Sequence, residues 1–135
     1  MLYRFIKWIK GIFSAKTGRT DTSVVVRKPP ISFSEITVVG RTPRNSDVKP
    51  GTFYMVDSGN KPKWAMFLCP CGCEHVITLS LQKVHDPHWQ LNISLNGYPT
   101  LRPSVWQKTK CYSHFWLREG RIYWCEGTGS PSSFW

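Results

Sequence analysis

Three cysteines at alternate positions, in the run Cys69-Pro70-Cys71-Gly72-Cys73, constrain this chain more than any other feature. Adjacent disulfides at such spacing are geometrically awkward, and a total of five cysteines leaves one thiol over in any complete pairing. Metal ligation is the better use of them. Zinc takes four soft or borderline ligands in a tetrahedron, and a tight turn with glycine after a cysteine lets backbone N–H groups point at the thiolate sulfurs and lower their charge density. One turn then supplies two or three ligands and the remainder comes from elsewhere. The segment Cys111-Tyr112-Ser113-His114 lies about forty residues on and offers both Cys111 and His114, while Cys125 follows later. On spacing alone three ligand sets compete: Cys69, Cys71, Cys73 and Cys111; two of the cluster with Cys111 and His114; or a set that brings in Cys125. A site closed by four protein side chains is structural, because a catalytic zinc keeps a position open for water.

A zinc-thiolate site implies reduced thiols, and hence a cytoplasmic setting. The N-terminus agrees with this expectation: its apolar residues are interrupted by Lys7 and Lys10, so no continuous signal-peptide core forms. No run approaches the roughly 18 apolar residues of a spanning helix. The length of 135 residues suits one domain. The net charge of +10 favours an acidic partner, but the excess is uneven. Arg4, Lys7, Lys10, Lys16, Arg19, Arg27 and Lys28 face Asp21 alone in residues 1–29, and the remainder is only mildly basic.

That basic start reads as an amphipathic helix over residues 1–16. Leu2, Phe5, Ile6, Ile9, Ile12 and Phe13 form an apolar stripe, and Arg4, Lys7 and Lys10 lie off it. Such a helix lies on an anionic membrane, with Trp8 at headgroup level, or docks on protein. Residues 17–30, ending in Pro29-Pro30, read as a linker. Residues 31–126 then read as a mostly β, antiparallel, zinc-stabilised domain, and 127–135 as a flexible tail. Strands are expected at Ile31–Val39, Thr52–Val56, Lys63–Leu68, His75–Leu81, Trp89–Leu95, Tyr98–Leu101, Ser113–Leu117 and Arg121–Trp124. Asn96-Gly97 predicts a hairpin with both central residues at positive φ, and Glu119-Gly120 a similar one.

Two further constellations carry chemistry. Ser104 follows a strand and Pro103, so its hydroxyl can be presented at a strand end to a neighbouring imidazole; a turn serine capping the backbone is the plainer alternative. His114 stands three residues after a candidate ligand, whereas His75, His85 and His88 read as ordinary exposed or core-edge histidines. The aromatics Trp64, Trp89, Trp106, Trp116, Trp124, Tyr98, Phe115 and Tyr123 could stack single-stranded nucleic acid. Core and cross-strand packing is the stronger reading, since the strands lack densely interleaved Lys and Arg.

Taken together, Tyr54, Phe67-Leu68-Cys69-Pro70-Cys71-Gly72-Cys73, Trp89, Thr100-Leu101-x-Pro103-Ser104-Val105, Cys111-x-Ser113-His114-Phe115-Trp116-Leu117 and Gly120-x-Ile122-x-Trp124 resemble a bacterial family. Its members are encoded beside ubiquitin-like proteins and their activating and conjugating enzymes. The resemblance spans about residues 50–124 and does not reach the N-terminal helix. It implies a zinc-stabilised serine-type peptidase that trims or deconjugates a ubiquitin-like protein. It also implies zinc on Cys69, Cys71, Cys73 and Cys111, with Ser104 as nucleophile and His114 as general base. A third, orienting group is expected, and Asp57, Glu74 and Asp86 are the acids near the motifs. The rival readings are a non-catalytic zinc module that recruits the ubiquitin-like protein or its conjugating enzyme, and a nucleic-acid-binding zinc protein in phage defence.

Overall fold

The computed structural model describes residues 27–129. The helix expected over residues 1–16, most of the expected linker and the end of the expected tail lie outside them. Among the described residues the chain is β throughout, apart from one 3-10 turn at Asn45–Asp47. The strands are β1 Ile36–Val39, β2 Phe53–Ser58, β3 Lys61–Leu68, β4 Val76–Ser80, β5 Gln90–Ile93, β6 Pro99–Arg102, β7 Val105–Trp106, β8 His114–Arg118 and β9 Arg121–Trp124. They form a four-stranded sheet in the order β1-β2-β3-β4, a β5-β6 pair and a three-stranded β7-β8-β9 sheet.

Alternation along β2 to β4 explains where the core sits. Phe53, Ala65, Phe67, Ile77 and Leu79 face the main core, while Tyr54, Val56, Trp64, Met66, Leu68 and Val76 turn to the other face. That second face is covered too, because the segment after β1 lays Val48 on Val56 and Met66. In the main core four phenylalanines run from one sheet to the next. Phe33 meets Phe53 and Phe67 edge-on at 6.1 and 5.3 Å, Phe53 stacks on Phe67 at 5.3 Å, and Phe67 meets Phe115 of β8 at 6.4 Å. Such pairs add about 0.5–1.5 kcal/mol each beyond the area they bury.

Three features depart from the expectations. The antiparallel pattern fails at β1, which pairs parallel to β2. The thirteen residues between them, with the Asn45–Asp47 turn inside, are long enough to carry the chain back to the same end of the sheet. The strand expected at Ile31–Val39 is split. Ile31 bridges to Arg121, the N–H groups of Ser32 and Phe33 donate to Gly120 O at 2.7 and 3.0 Å, and only Ile36–Val39 joins β2. At this break the Phe33 ring is buried against Phe53 and Phe67. At the Asn96-Gly97 hairpin only Gly97 has positive φ, at 86°. Gly97 N–H donates to Ser94 O and Ser94 N–H to Tyr98 O, which is a type I turn closed by a left-handed glycine. The turns with both residues left-handed are Gly59-Asn60, at 65° and 62°, and Glu119-Gly120, at 47° and 75°.

Gly120 ties three parts of the domain together. It accepts from Ser32 and Phe33, and its own N–H donates to Pro99 O at 2.8 Å. A Cβ there would run into the backbone carbonyl of Phe33, at a φ that side chains rarely adopt. Gly120→Ala is therefore expected to destabilise the domain by roughly 3 kcal/mol, the upper range for one strained residue, with the carbonyl clash adding to it. Urea denaturation of the two proteins measures this.

Candidate metal centre and Ser–His pair

The cysteine run leaves the end of β3 as a tight loop. Gly72 N–H donates to Cys69 O at 3.2 Å and Cys69 N–H to His75 O at 2.8 Å. Gly72 and Glu74 adopt positive φ of 92° and 67° to make the reversal. The loop ends beside the segment that enters β8, so the Sγ atoms of Cys69, Cys71, Cys73 and Cys111 all lie within 4.8 Å of one another. Two of the separations, Cys69 to Cys71 and Cys69 to Cys111, are 3.5 and 3.6 Å. Sulfurs held about 2.3 Å from a central zinc in a tetrahedron stand about 3.8 Å apart, so this donor set frames a space of the right size.

Backbone amides serve three of the sulfurs in one repeated pattern. Cys71 N–H points at Cys69 Sγ, His75 N–H at Cys73 Sγ and Ser113 N–H at Cys111 Sγ, in each case from two residues on. Ser113, buried itself, adds a hydroxyl 3.5 Å from Cys69 Sγ and 3.1 Å from Cys111 Sγ. Burial drives the Cys69 thiol well above its usual range and raises Cys73 as well. Burial is the largest influence on Cys111 and acts upward, but the hydroxyl and N–H of Ser113 together with the Cys69 and Cys71 thiols outweigh it and bring that thiol down to about 7. A divalent cation is what allows four such neighbours to ionise together. His114 and Cys125, the other ligand candidates, are not in this group. Ser113 went unnoticed as a sulfur partner in the sequence, although Cys111-x-Ser113 repeats the two-residue step of the amide pattern.

His114 opens β8, whose Phe115 and Leu117 are buried, so His114, Trp116 and Arg118 share the opposite face. The β7-β8 ladder pairs Val105 with Phe115 and Trp106 with His114. Ser104, one step before that ladder, meets the imidazole diagonally: Ser104 Oγ lies 2.9 Å from His114 Nε2.

Both residues are held from behind. Trp89 Nε1 donates to Ser104 O at 3.2 Å. The His114 N–H donates to Thr128 Oγ1 at 2.8 Å, and its carbonyl accepts from Cys125 N–H at 2.9 Å. The ring stacks on Trp106 at 5.3 Å and 23°, with Lys108 Nζ 4.4 Å from the Trp106 centroid. Burial lowers the His114 pKa below 6.5, leaving the ring neutral near pH 7. A neutral imidazole within hydrogen-bond reach of a hydroxyl is the arrangement that general-base activation requires.

The acids considered as orienting groups are dispersed. Glu74 sits exposed in the cysteine loop, Asp57 beside the β2 irregularity, and Asp86 precedes Pro87 in the β4–β5 connection. It is Trp106 whose side chain packs flat on the imidazole, a role no sequence signal marked. Among the described residues the tryptophans edge the core rather than fill it: Trp64 and Trp89 are half-buried against it, Trp106 and Trp116 are half-buried, Trp124 is exposed, and phenylalanines fill the interior. Indole N–H groups need partners, which favours the rim.

No curated protein and no solved structure matches the chain. A family model does, over residues 38–125, which takes in every strand from the end of β1 to β9, all five cysteines, Ser104 and His114. A family of serine proteases is what a hydroxyl held on a neutral imidazole leads one to expect, and on this match the chain belongs to the bacterial ubiquitination-like system serine protease (BubE) family.

Proposed function

We infer that this protein is a zinc-stabilised serine-type peptidase that processes or deconjugates a ubiquitin-like protein, working alongside its activating and conjugating enzymes. The observation that carries the reading is the 2.9 Å approach of Ser104 Oγ to His114 Nε2. Ser104 attacks the carbonyl of the bond after a terminal glycine, and His114 Nε2 takes the hydroxyl proton. The imidazolium then delivers that proton to the leaving amine, and water resolves the acyl-enzyme by the same route. Trp89 and Trp106 hold the serine carbonyl and the imidazole plane while this happens.

Zinc on Cys69, Cys71, Cys73 and Cys111 has a structural part in this reading. The four cysteines would fill the positions of a tetrahedral zinc as thiolates and leave none for water, and they would tie the 69–73 loop to the segment that leads into His114. Five free thiols favour a reducing compartment, in keeping with a cytoplasmic site of action.

The protonation state of His114 supplies a test. The base must be neutral, and burial holds its pKa below 6.5, so kcat/KM is expected to be flat at neutral pH and to fall in acid with an apparent pKa below 6.5. A pH–rate profile on a cognate precursor measures this. An activity that instead rises through pH 8–9 would assign the base to some other group, and the reading with it.

A further inference from the structure

Beside the Ser–His pair lies a groove of ≈ 890 Å³ whose chemistry points to the substrate segment it takes. Its apolar walls include Trp89 and Trp116, and its charges come from Lys83, Arg102 and Arg118, with His88 at the rim. Among the described residues no carboxylate lines it. The single ion pair among the described residues is Arg44 with Asp47, so none of the three groove cations is ion-paired with a described acid. Arg118 is laid over the Trp116 and Tyr123 rings, at 4.7 and 5.7 Å, and Arg102 donates to Asn92 Oδ1 at 3.3 Å. Two guanidinium groups are thus positioned in advance.

The loop that brings Lys83 and His88 is also fixed. Buried Ser80 holds His85 Nδ1 at 2.5 Å and accepts from Gln82 N–H at 3.1 Å, and His88 Nδ1 lies 2.9 Å from His85 O. Ser104 and His114 are not in its wall, but its lining reaches their immediate neighbours. Arg102 and Pro103 in its wall lead into Ser104, Trp89 both lines it and binds Ser104 O, and Trp116 lies two residues from His114 on the same face of β8.

We propose that this groove binds an extended, acidic peptide segment adjoining the scissile bond, with carboxylates on Arg102, Arg118 and Lys83 and the chain lying between Trp89 and Trp116. The groove thereby selects for acidic residues near the cleaved glycine. This rests on the peptidase reading, and the two are separable by experiment. Binding is measured by fluorescence anisotropy on the full chain carrying Ser104→Ala, using a fluorescein-labelled peptide with Glu on either side of a Gly-Gly pair and a matched peptide with Gln.

The Glu peptide is expected to bind about tenfold tighter, a reasonable sum for two or three exposed charge contacts, and to lose that margin at high salt. Arg118→Gln should remove about half of the margin on a logarithmic scale. Lys83→Gln, on an exposed loop where unfolding is not a concern, should remove a smaller share. Equal affinity for the two peptides, or a margin untouched by both substitutions, overturns the proposal. So does tighter binding of an oligothymidylate that is weakened by the same substitutions, which would make the groove a phosphate-backbone site. Labelling of the wild-type serine by a fluorophosphonate reports separately on the peptidase: no labelling of Ser104 with the Glu margin intact removes the enzyme and leaves the acidic-peptide site standing.

Discussion

Ser104→Ala is expected to abolish processing of a cognate ubiquitin-like precursor, lowering kcat/KM by at least about 10³-fold, while the protein keeps its fold and its metal. A serine hydroxyl is a poor nucleophile at neutral pH, so in the proposed reaction Ser104 would depend on the imidazole 2.9 Å away. His114→Ala should cost a similar factor. Because nucleophile and base act as a unit, the double variant should be no slower than the worse single one.

The two substitutions differ in a useful way. His114 Nε2 is engaged with Ser104, and His114 is not among the four clustered ligand candidates, so zinc content should be unchanged in both variants. Single-turnover kinetics together with metal analysis reads both quantities. Zinc released by His114→Ala with processing intact in Ser104→Ala would make the histidine a ligand and remove the enzyme. A recruiting module without catalysis would be indifferent to Ser104→Ala.

The second large effect is expected on removing the metal. We expect one zinc per chain and loss of the folded state in a strong chelator. Structural zinc in small domains contributes an apparent binding free energy of about 10–16 kcal/mol, which equals or exceeds the whole stability of a typical domain, about 5–15 kcal/mol. Cys69 explains why the loss would spread. It is a candidate ligand and also a buried member of the main core beside Phe67 and Phe115. Its release would leave the end of β3 and the entry to β8 unconnected. Cys69→Ser and Cys111→Ser should therefore abolish soluble folding, whereas Cys125→Ser, outside the cluster, should cost no more than about 1 kcal/mol. Thermal melts with and without chelator, beside metal analysis, decide this. Substoichiometric zinc with an unchanged Tm would rule out a structural metal.

Much of this was legible from the amino acids alone, because the information is local. Alternation in Thr52–Val56, Lys63–Leu68 and Arg121–Trp124 marked strands that lie within a residue or two of those observed, since a strand with one face in a core must repeat every second residue. The Cys-x-Cys-Gly-Cys spacing announced a thiolate cluster, since one turn can aim several sulfurs at one point.

Tertiary structure decided what depends on residues far apart in the chain. Spacing left Cys111, His114 and Cys125 as rivals for the fourth place beside the cysteine run, and only the approach of the 69–75 loop to the start of β8 brings Cys111 to it. Ser104 and His114 are ten residues apart in sequence, with no short-range signal linking them. The two-residue strand β7, too short to leave a periodic trace, sets the register that places them on a diagonal. The parallel entry of β1 depends on the path of the connection to β2, and the split of the segment before it goes with the Phe33 ring packing against Phe53 and Phe67. Local pattern specifies which face of a strand is buried, but register, strand direction and the meeting of side chains are settled by the packing of the whole domain, where burial outweighs any local preference.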